Sequence, residues 1–291
     1  MKKLLITGAS GFLGWHLCQL AQPDWQVYGT YHTHAVSIPG VTLIPIDLTD
    51  HLALRSLVHT LQPDGIIHAA ALSQPNACQT YPDLSYRINT LTSWAIAELC
   101  AEASIPCVFT SSEQVFDGLH PPYRETDPVC PINLYGQHKV AAEVGMLERY
   151  PEAAICRMPL MFGAAPTADS FIQPFLQRLR SGQILNAFTD EIRTPVSGRD
   201  AAHGLLLALE KVKGYLHLGG QERLSRYAIA QILIEVLEIK NAQVTPCQQA
   251  DVPMAAPRPP DLSLDSSLAL SLGYSPQLFK AALQLLRNDL A

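Results

Sequence analysis

The chain has 291 residues, 48% of them hydrophobic and 16% charged, with a formal net charge of −6 and no long run of like charges. That is enough apolar material for one large core or two fused ones, and the lack of clustered Lys and Arg speaks against nucleic acid or an anionic membrane as partner. The seven cysteines are odd in number and scattered without metal-type spacing, which predicts a reduced, cytoplasmic setting and no metal site, and no apolar stretch reaches the ~20 residues that span a bilayer.

The apolar run after Met1-Lys2-Lys3 stops at Thr7-Gly8, so it reads as a first strand and not as a secretion signal. Strands are predicted over residues 3–7, 25–31, 41–47, 65–69, 105–111 and 153–158, with helices starting near Gly11, His51, Leu84 and Asn133. This βαβ rhythm predicts an α/β fold, a Rossmann-type doubly wound parallel sheet over residues 1–158. From Pro159 the rhythm shifts to longer helices, 170–181, 200–211 and 225–239, with short strands at 215–218 and 244–247. Residues 159–291 are therefore expected to form mainly a smaller substrate-binding lobe, with a segment near 193–212 returning to the first domain. The Pro-rich stretch 252–260 precedes a helical pattern that resumes at Asp265, and reads as an ordered loop.

Gly8-Ala9-Ser10-Gly11-Phe12-Leu13-Gly14 follows the first strand and opens a helix. Backbone N–H groups there, with the helix dipole, favour a pyrophosphate. Glycines serve turns for steric reasons alone, so it is the position after a buried strand that points to a dinucleotide. The second strand ends Gly29-Thr30-Tyr31-His32, with no acid to hold an adenosine ribose 2′-hydroxyl. NADP(H) is favoured and NAD(H) still allowed. No Arg is present either, so His32 or His34 would accompany a 2′-phosphate, a plain loop role being the other reading. Asp47-Leu48 ends the third strand where a carboxylate can accept from the adenine amino group, while Asp50 caps the helix that follows. Ala69-Ala70-Ala71, after His68, are small where a backbone runs against a flat ligand, though tight helix packing would also use alanines.

The fifth strand ends Ser111-Ser112-Glu113-Gln114, and the next helix carries Tyr135-Gly136-Gln137-His138-Lys139. Residues four apart share a helix face, so the Lys139 ammonium can sit beside the Tyr135 phenol and favour its ionised form. A free tyrosine, with a pKa of about 10, needs such help to exchange protons near neutrality. The pair alone is a weak signal, and its place after a Ser-rich strand end in a dinucleotide-type sheet gives it weight.

With Val115-Phe116-Asp117-Gly118, Pro122-Tyr123-Arg124-Glu125, Asn133-Leu134-Tyr135-Gly136 and Lys139, Arg157-Met158-Pro159, Phe162-Gly163, Arg258-Pro259 and Leu264-Asp265, the chain resembles the extended short-chain dehydrogenase/reductases over nearly its whole length. Within them it is similar to the dTDP-4-dehydrorhamnose reductase family and its relative, the β regulatory subunit of methionine adenosyltransferase. The resemblance implies a Ser112–Tyr135–Lys139 triad acting on a 4-keto-6-deoxy nucleotide sugar. In it Tyr135 is the proton donor, Ser112 holds the carbonyl oxygen, and Lys139 binds the nicotinamide ribose. It places Pro159 near the nicotinamide, Glu113 and Gln114 at the substrate, and Arg258 on a substrate diphosphate, for which a guanidinium is suited. Asn89 is expected to order its loop or a water, and Asp200 to be a helix N-terminal carboxylate beyond Arg193.

The reductases carry Asp-Tyr where this chain has Glu113-Gln114, so the loss of that tyrosine leaves another keto sugar open. Sugar-nucleotide dehydratases place a base at the position of Gln114, and an amide cannot abstract a proton. A sugar-nucleotide epimerase and a non-catalytic NADP-binding regulatory subunit stay as alternatives, because a retained triad need not be a used one. The oligomeric state is open, a homodimer being one option.

Overall fold

The computed structural model describes residues 1–290. The chain runs β1 (Lys2–Thr7), α1 (Phe12–Ala21), β2 (Trp25–Tyr31), β3 (Thr42–Pro45), α2 (His51–Leu61), β4 (Gly65–His68), α3 (Pro75–Thr80), α4 (Pro82–Tyr86), α5 (Thr92–Ala103), β5 (Cys107–Ser112), α6 (Leu134–Arg149) and β6 (Ala154–Met158). A π-helical turn, Arg87–Leu91, joins α4 to α5. The expected strands are all present, most with an end shifted by one or two residues.

These six strands and a seventh, β11 (Gly214–His217), form one parallel sheet in the order β11-β6-β5-β4-β1-β2-β3, the doubly wound α/β arrangement anticipated above. Because side chains alternate across a strand, Leu4, Ile6, Ile67 and Val108 pack under α1 on one face, while Leu5, Ile66 and Phe109 pack with α2, α5 and α6 on the other. Both faces are covered, which is why the strands read as continuous apolar runs.

The second half continues with β7 (Met161–Phe162), α7 (Ile172–Arg180), β8 (Leu185–Phe188), β9 (Ile192–Arg193), β10 (Val196–Ser197), α8 (Gly198–Lys211) and β11 (Gly214–His217). It ends with β12 (Leu224–Ser225), α9 (Arg226–Leu237), β13 (Val244–Cys247), α10 (Ser267–Ser271) and α11 (Phe279–Leu285). Two of these elements belong to the sheet domain. Helix α8 lies against α1, as a return near 193–212 requires. Strand β11, grouped with the second lobe by the rhythm of the sequence, instead pairs with β6, Leu216 opposite Cys156. Helix α8 serves as the crossover that brings the chain back.

Asp200 stands in the first turn of α8. Its N–H donates to Ser197 Oγ at 3.0 Å and its carboxylate accepts the Ser197 hydroxyl at 2.8 Å, the helix-terminal role expected of it. The smaller lobe has its own core, in which Phe162, Ile172, Ile229, Leu233, Phe279 and Leu283 are buried together. Strand β13 pairs there with β8, an element with no clear sequence signal. Among the described residues, no helix is long and apolar enough to cross a membrane.

Candidate functional site

At the carboxyl ends of the sheet strands lies a cleft of about 440 Å³. Its lining includes Gly8, Ser10, Gly11, Phe12, Leu13 and Gly14 from the first loop, Tyr31 and His32 after β2, Asp47 and Leu48 after β3, and Ala69, Ala70 and Ala71 after β4. Ser112, Tyr135, Lys139 and Pro159 line the same space. Thr30, Ile46, Thr49, Ser73, Ile88, Thr92, Thr110, Met158 and Met161 also line it and were not singled out from sequence. Their signal was positional only, since each lies near a strand end or, for Ile88 and Thr92, on the π-helical turn and the start of α5.

The N-terminus of α1 is built for an anion. Its N-cap, Gly11, is extended and offers no side-chain acceptor, so the first helical N–H groups stay free. A Cβ on Gly14 would stand 2.1 Å from Gly8 O. Only glycine lets the helix seat against the loop, and a dinucleotide pyrophosphate fits the resulting cradle. Asp47 accepts from Thr49 N at 2.9 Å and Thr49 Oγ1 at 2.8 Å, and these bonds hold its carboxyl below the usual range. Its other oxygen is 4.0 Å from His32 Nε2, so one acceptor stays available beside the cleft. Asp50 caps α2 through Leu52 N and Ala53 N.

The turn after β4 is fixed by a buried histidine that sequence reasoning passed over. Thr7 Oγ1 accepts from Ala69 N and Ala70 N, which commits its own proton to His68 Nδ1 at 2.7 Å. The His68 proton is therefore on Nε2, donating to Ser93 Oγ at 3.2 Å, and Ser93 in turn donates to Asn89 O. Asn89 clamps Leu72 by accepting from its N–H and donating to its carbonyl, both at 3.0 Å. This is the loop-ordering role expected of it.

Burial lowers the affinity of three histidines for protons, His16 to about 4 and His68 and His217 to about 3. A depressed histidine stabilises the fold above its unfolded value of 6.5, and that contribution is lost as pH falls from 6.5 toward 4 and 3. Each group removes about 1.4 kcal/mol per pH unit in that window. Melting temperature is expected to fall steeply from pH 6.5 to pH 4.5, and less steeply in His16→Gln. Equal slopes for the two proteins would contradict it.

Ser112 ends β5 and Tyr135 opens α6, whose N-cap Asn133 accepts from Gly136 N at 2.9 Å. A Cβ on Gly136 would lie 2.1 Å from Gln114 O, so the glycine lets the helix start press against the strand end. Burial pushes the Tyr135 phenol above its ordinary value, with hydrogen bonding to Ser112 pulling the other way. Lys139 is fully buried, donates to Thr110 O at 2.9 Å, and lies 5.8 Å from the Tyr135 ring centre. Burial brings its ammonium down to about 8, opposed by the charge of Glu143. Desolvation is the largest influence on the phenol and favours its protonated form, opposite in sign to the help expected from Lys139.

Glu113, Gln114 and Arg258, expected at the substrate, lie outside the cleft lining. Glu113 turns into the protein, its Oε1 3.0 Å from Arg193 Nε, and burial raises its carboxyl to about 8 against that cation. Arg193 Nη2 is also 3.5 Å from Glu191, which Arg226 holds at 2.7 Å. Gln114 Oε1 accepts from Asn133 Nδ2 at 2.9 Å, and the same amide donates to Pro257 O at 3.1 Å. Arg258 is half-buried and donates to Asn76 Oδ1 at 3.3 Å. These contacts tie the Pro-rich loop to the segment after Ser112, next to the cleft.

The whole chain, residues 1–291, matches the RmlD substrate binding domain family. It is 28% identical over 281 residues to methionine adenosyltransferase 2 subunit beta of Pongo abelii, covering 94% of this chain and 83% of that protein. It is 28% identical over 305 residues to dTDP-4-dehydrorhamnose reductase of Aggregatibacter actinomycetemcomitans, covering 99% of both. A crystal structure of a dTDP-4-dehydrorhamnose reductase from Clostridium acetobutylicum superimposes with a TM-score of 0.87 at 26% identity, covering 99% of each chain.

Proposed function

The chain belongs to the RmlD substrate binding domain family, and on that premise we propose that it is a cytoplasmic, NADPH-preferring reductase of a 4-keto-6-deoxy nucleotide sugar. The observation that carries this reading is the meeting of Ser112, Tyr135 and Lys139 with the Gly8–Gly14 loop in one cleft. A regulatory subunit needs a cofactor cradle but has no use for a dry phenol, a hydroxyl and a buried ammonium brought together there.

NADPH, when bound, supplies the hydride. Tyr135 keeps its proton at neutral pH because burial disfavours the phenolate, which is the form a proton donor to a carbonyl oxygen requires. Ser112 Oγ accepts from Gln114 N at 3.2 Å, leaving its hydroxyl proton for the same oxygen. Lys139, anchored at Thr110 O, stabilises the phenolate that forms as the proton leaves. Ala69, Ala70 and Ala71 present a flat wall to the cofactor, and Asp47 offers an acceptor to its adenine. The absence of an acid at Tyr31-His32 supports NADPH over NADH. The lobe formed mainly by residues 159–291, with Arg258 and the Pro-rich loop, takes the nucleotide sugar.

Two measurements test this reading. Purified protein is expected to bind NADPH more tightly than NADH, and a clear preference for NADH would overturn the cofactor assignment. NADPH absorbance is expected to fall on adding dTDP-4-keto-6-deoxy-L-mannose. Tight binding of NADPH without oxidation by this or any other 4-keto sugar nucleotide would favour the regulatory reading.

A further inference from the structure

Behind Ser111, which is part of the cleft lining, lies a second buried cluster that includes no residue of the proposed triad. Glu143 and Arg157 form an ion pair shielded from solvent, Arg157 Nη2 to Glu143 Oε2 at 2.9 Å and Nε to Oε1 at 3.1 Å. Ser111 donates to the same Oε1 at 2.5 Å. The guanidinium carbon lies 5.0 Å from the Phe116 ring centre and 4.4 Å from that of Tyr215. His217 Nδ1 is 3.0 Å from Tyr123 O, which can only accept, so that nitrogen carries the proton and Nε2 faces Arg157 Nη1 at 3.4 Å as an acceptor.

Lys139 stands one helical turn before Glu143 on α6, so the two share a face. The other groups around its ammonium offer no full negative charge. They are Tyr135 from the same helix, the neutral His68 from β4, the Cys78 thiol from α3, and the Thr110 carbonyl and Phe109 ring from β5. An ammonium in so dry a place loses its proton readily. Arg157 and Ser111 hold Glu143 on both oxygens, which fixes the carboxylate and also offsets part of its field.

We propose that Glu143 is a positioning residue that keeps the Lys139 ammonium charged, and that Arg157 sets how much of the Glu143 charge Lys139 feels. The inference deepens the proposed reductase reading and rests on it for the use to which Lys139 is put. If the pair served packing alone, removing either partner would destabilise the protein without moving Lys139 in opposite directions.

The test is direct titration of the Lys139 amine by NMR in selectively labelled protein, with Lys139→Met identifying its signal. Glu143→Gln leaves an unpaired positive Arg157 and is expected to lower the Lys139 titration midpoint by about one pH unit, a tenfold loss of proton affinity. Arg157→Met unmasks the carboxylate and is expected to raise it. Glu143→Gln with Arg157→Met removes both charges and is expected to leave the midpoint between those of Glu143→Gln and the unaltered protein. Shifts of one sign in both single variants, or none in either, would overturn the proposal. Should the single variants fail to fold, Ser111→Ala removes one bond from Glu143 and is expected to raise the midpoint, and no rise would overturn it equally. The alkaline limb of NADPH-dependent reduction is expected to move with the NMR midpoint. Midpoints that shift as stated while that limb stays still would refute the assigned use of Lys139 in reduction and leave the electrostatic coupling intact.

Discussion

Tyr135→Phe is expected to lower kcat for sugar reduction by about 10²–10⁴-fold while changing NADPH affinity by no more than about threefold. The ring stays in its buried place at the start of α6, so its packing is kept, and only the proton that the developing alkoxide needs is removed. Because burial holds that proton on the phenol, the unaltered protein is poised for reduction at neutral pH, and the reverse oxidation should need a higher pH. Rapid-mixing turnover and a fluorescence binding curve separate the two effects. Turnover within tenfold of the unaltered protein would remove Tyr135 from the chemistry.

Arg193→Ala is expected to cost about 3–5 kcal/mol, the range for breaking one side of a buried ion pair. The guanidinium is 1% exposed, holds Glu113 at 3.0 Å, and also donates to Ile192 O at 2.6 Å, Pro260 O at 3.2 Å and Pro259 O at 3.1 Å. Its loss takes the cation from Glu113 and the donor from Pro259 O, while Glu191 keeps Arg226 and the other two carbonyls keep the amides of Ile192 and Leu262. A chain of this size should lose roughly 10 °C of melting temperature or more. Adding Glu113→Gln should recover part of that loss in alkaline solution, where the buried carboxyl would otherwise be charged with no cation beside it. Catalysis should suffer too, since Glu113 directly follows Ser112. A melting temperature within about 2 °C of the unaltered protein would show that the network carries little stability.

The sheet domain was legible because its cues are local. Apolar runs broken by Gly8, His32 and Asp47 mark strand ends in the chain itself, and a parallel sheet gathers those ends on one side whatever the loops do. Most cleft residues named from sequence follow such ends, and Tyr135 and Lys139 reach the same space from α6. What was not legible depends on contacts between residues far apart in the chain. Nothing near Glu113 announces Arg193, eighty positions on, and without that partner its place after Ser112 suggested a substrate contact. His68 was read only for the alanines beside it, because its role depends on Thr7 and Ser93. The pairing of β11 with β6 was not visible, because a four-residue strand carries no mark of which sheet it joins. The sign of the Tyr135 shift also escaped, since helix spacing shows that Lys139 is near but not how dry the site is.

Transfer of hydride from NADPH to the sugar can be followed through the hydrogen itself. With NADPH carrying deuterium at its transferable position and a dTDP-linked 4-keto-6-deoxy sugar, a reduced product with deuterium at C4 and an equal amount of NADP⁺ is expected. A sugar altered without deuterium at C4, or unaltered sugar beside tightly bound and unoxidised NADPH, would contradict it.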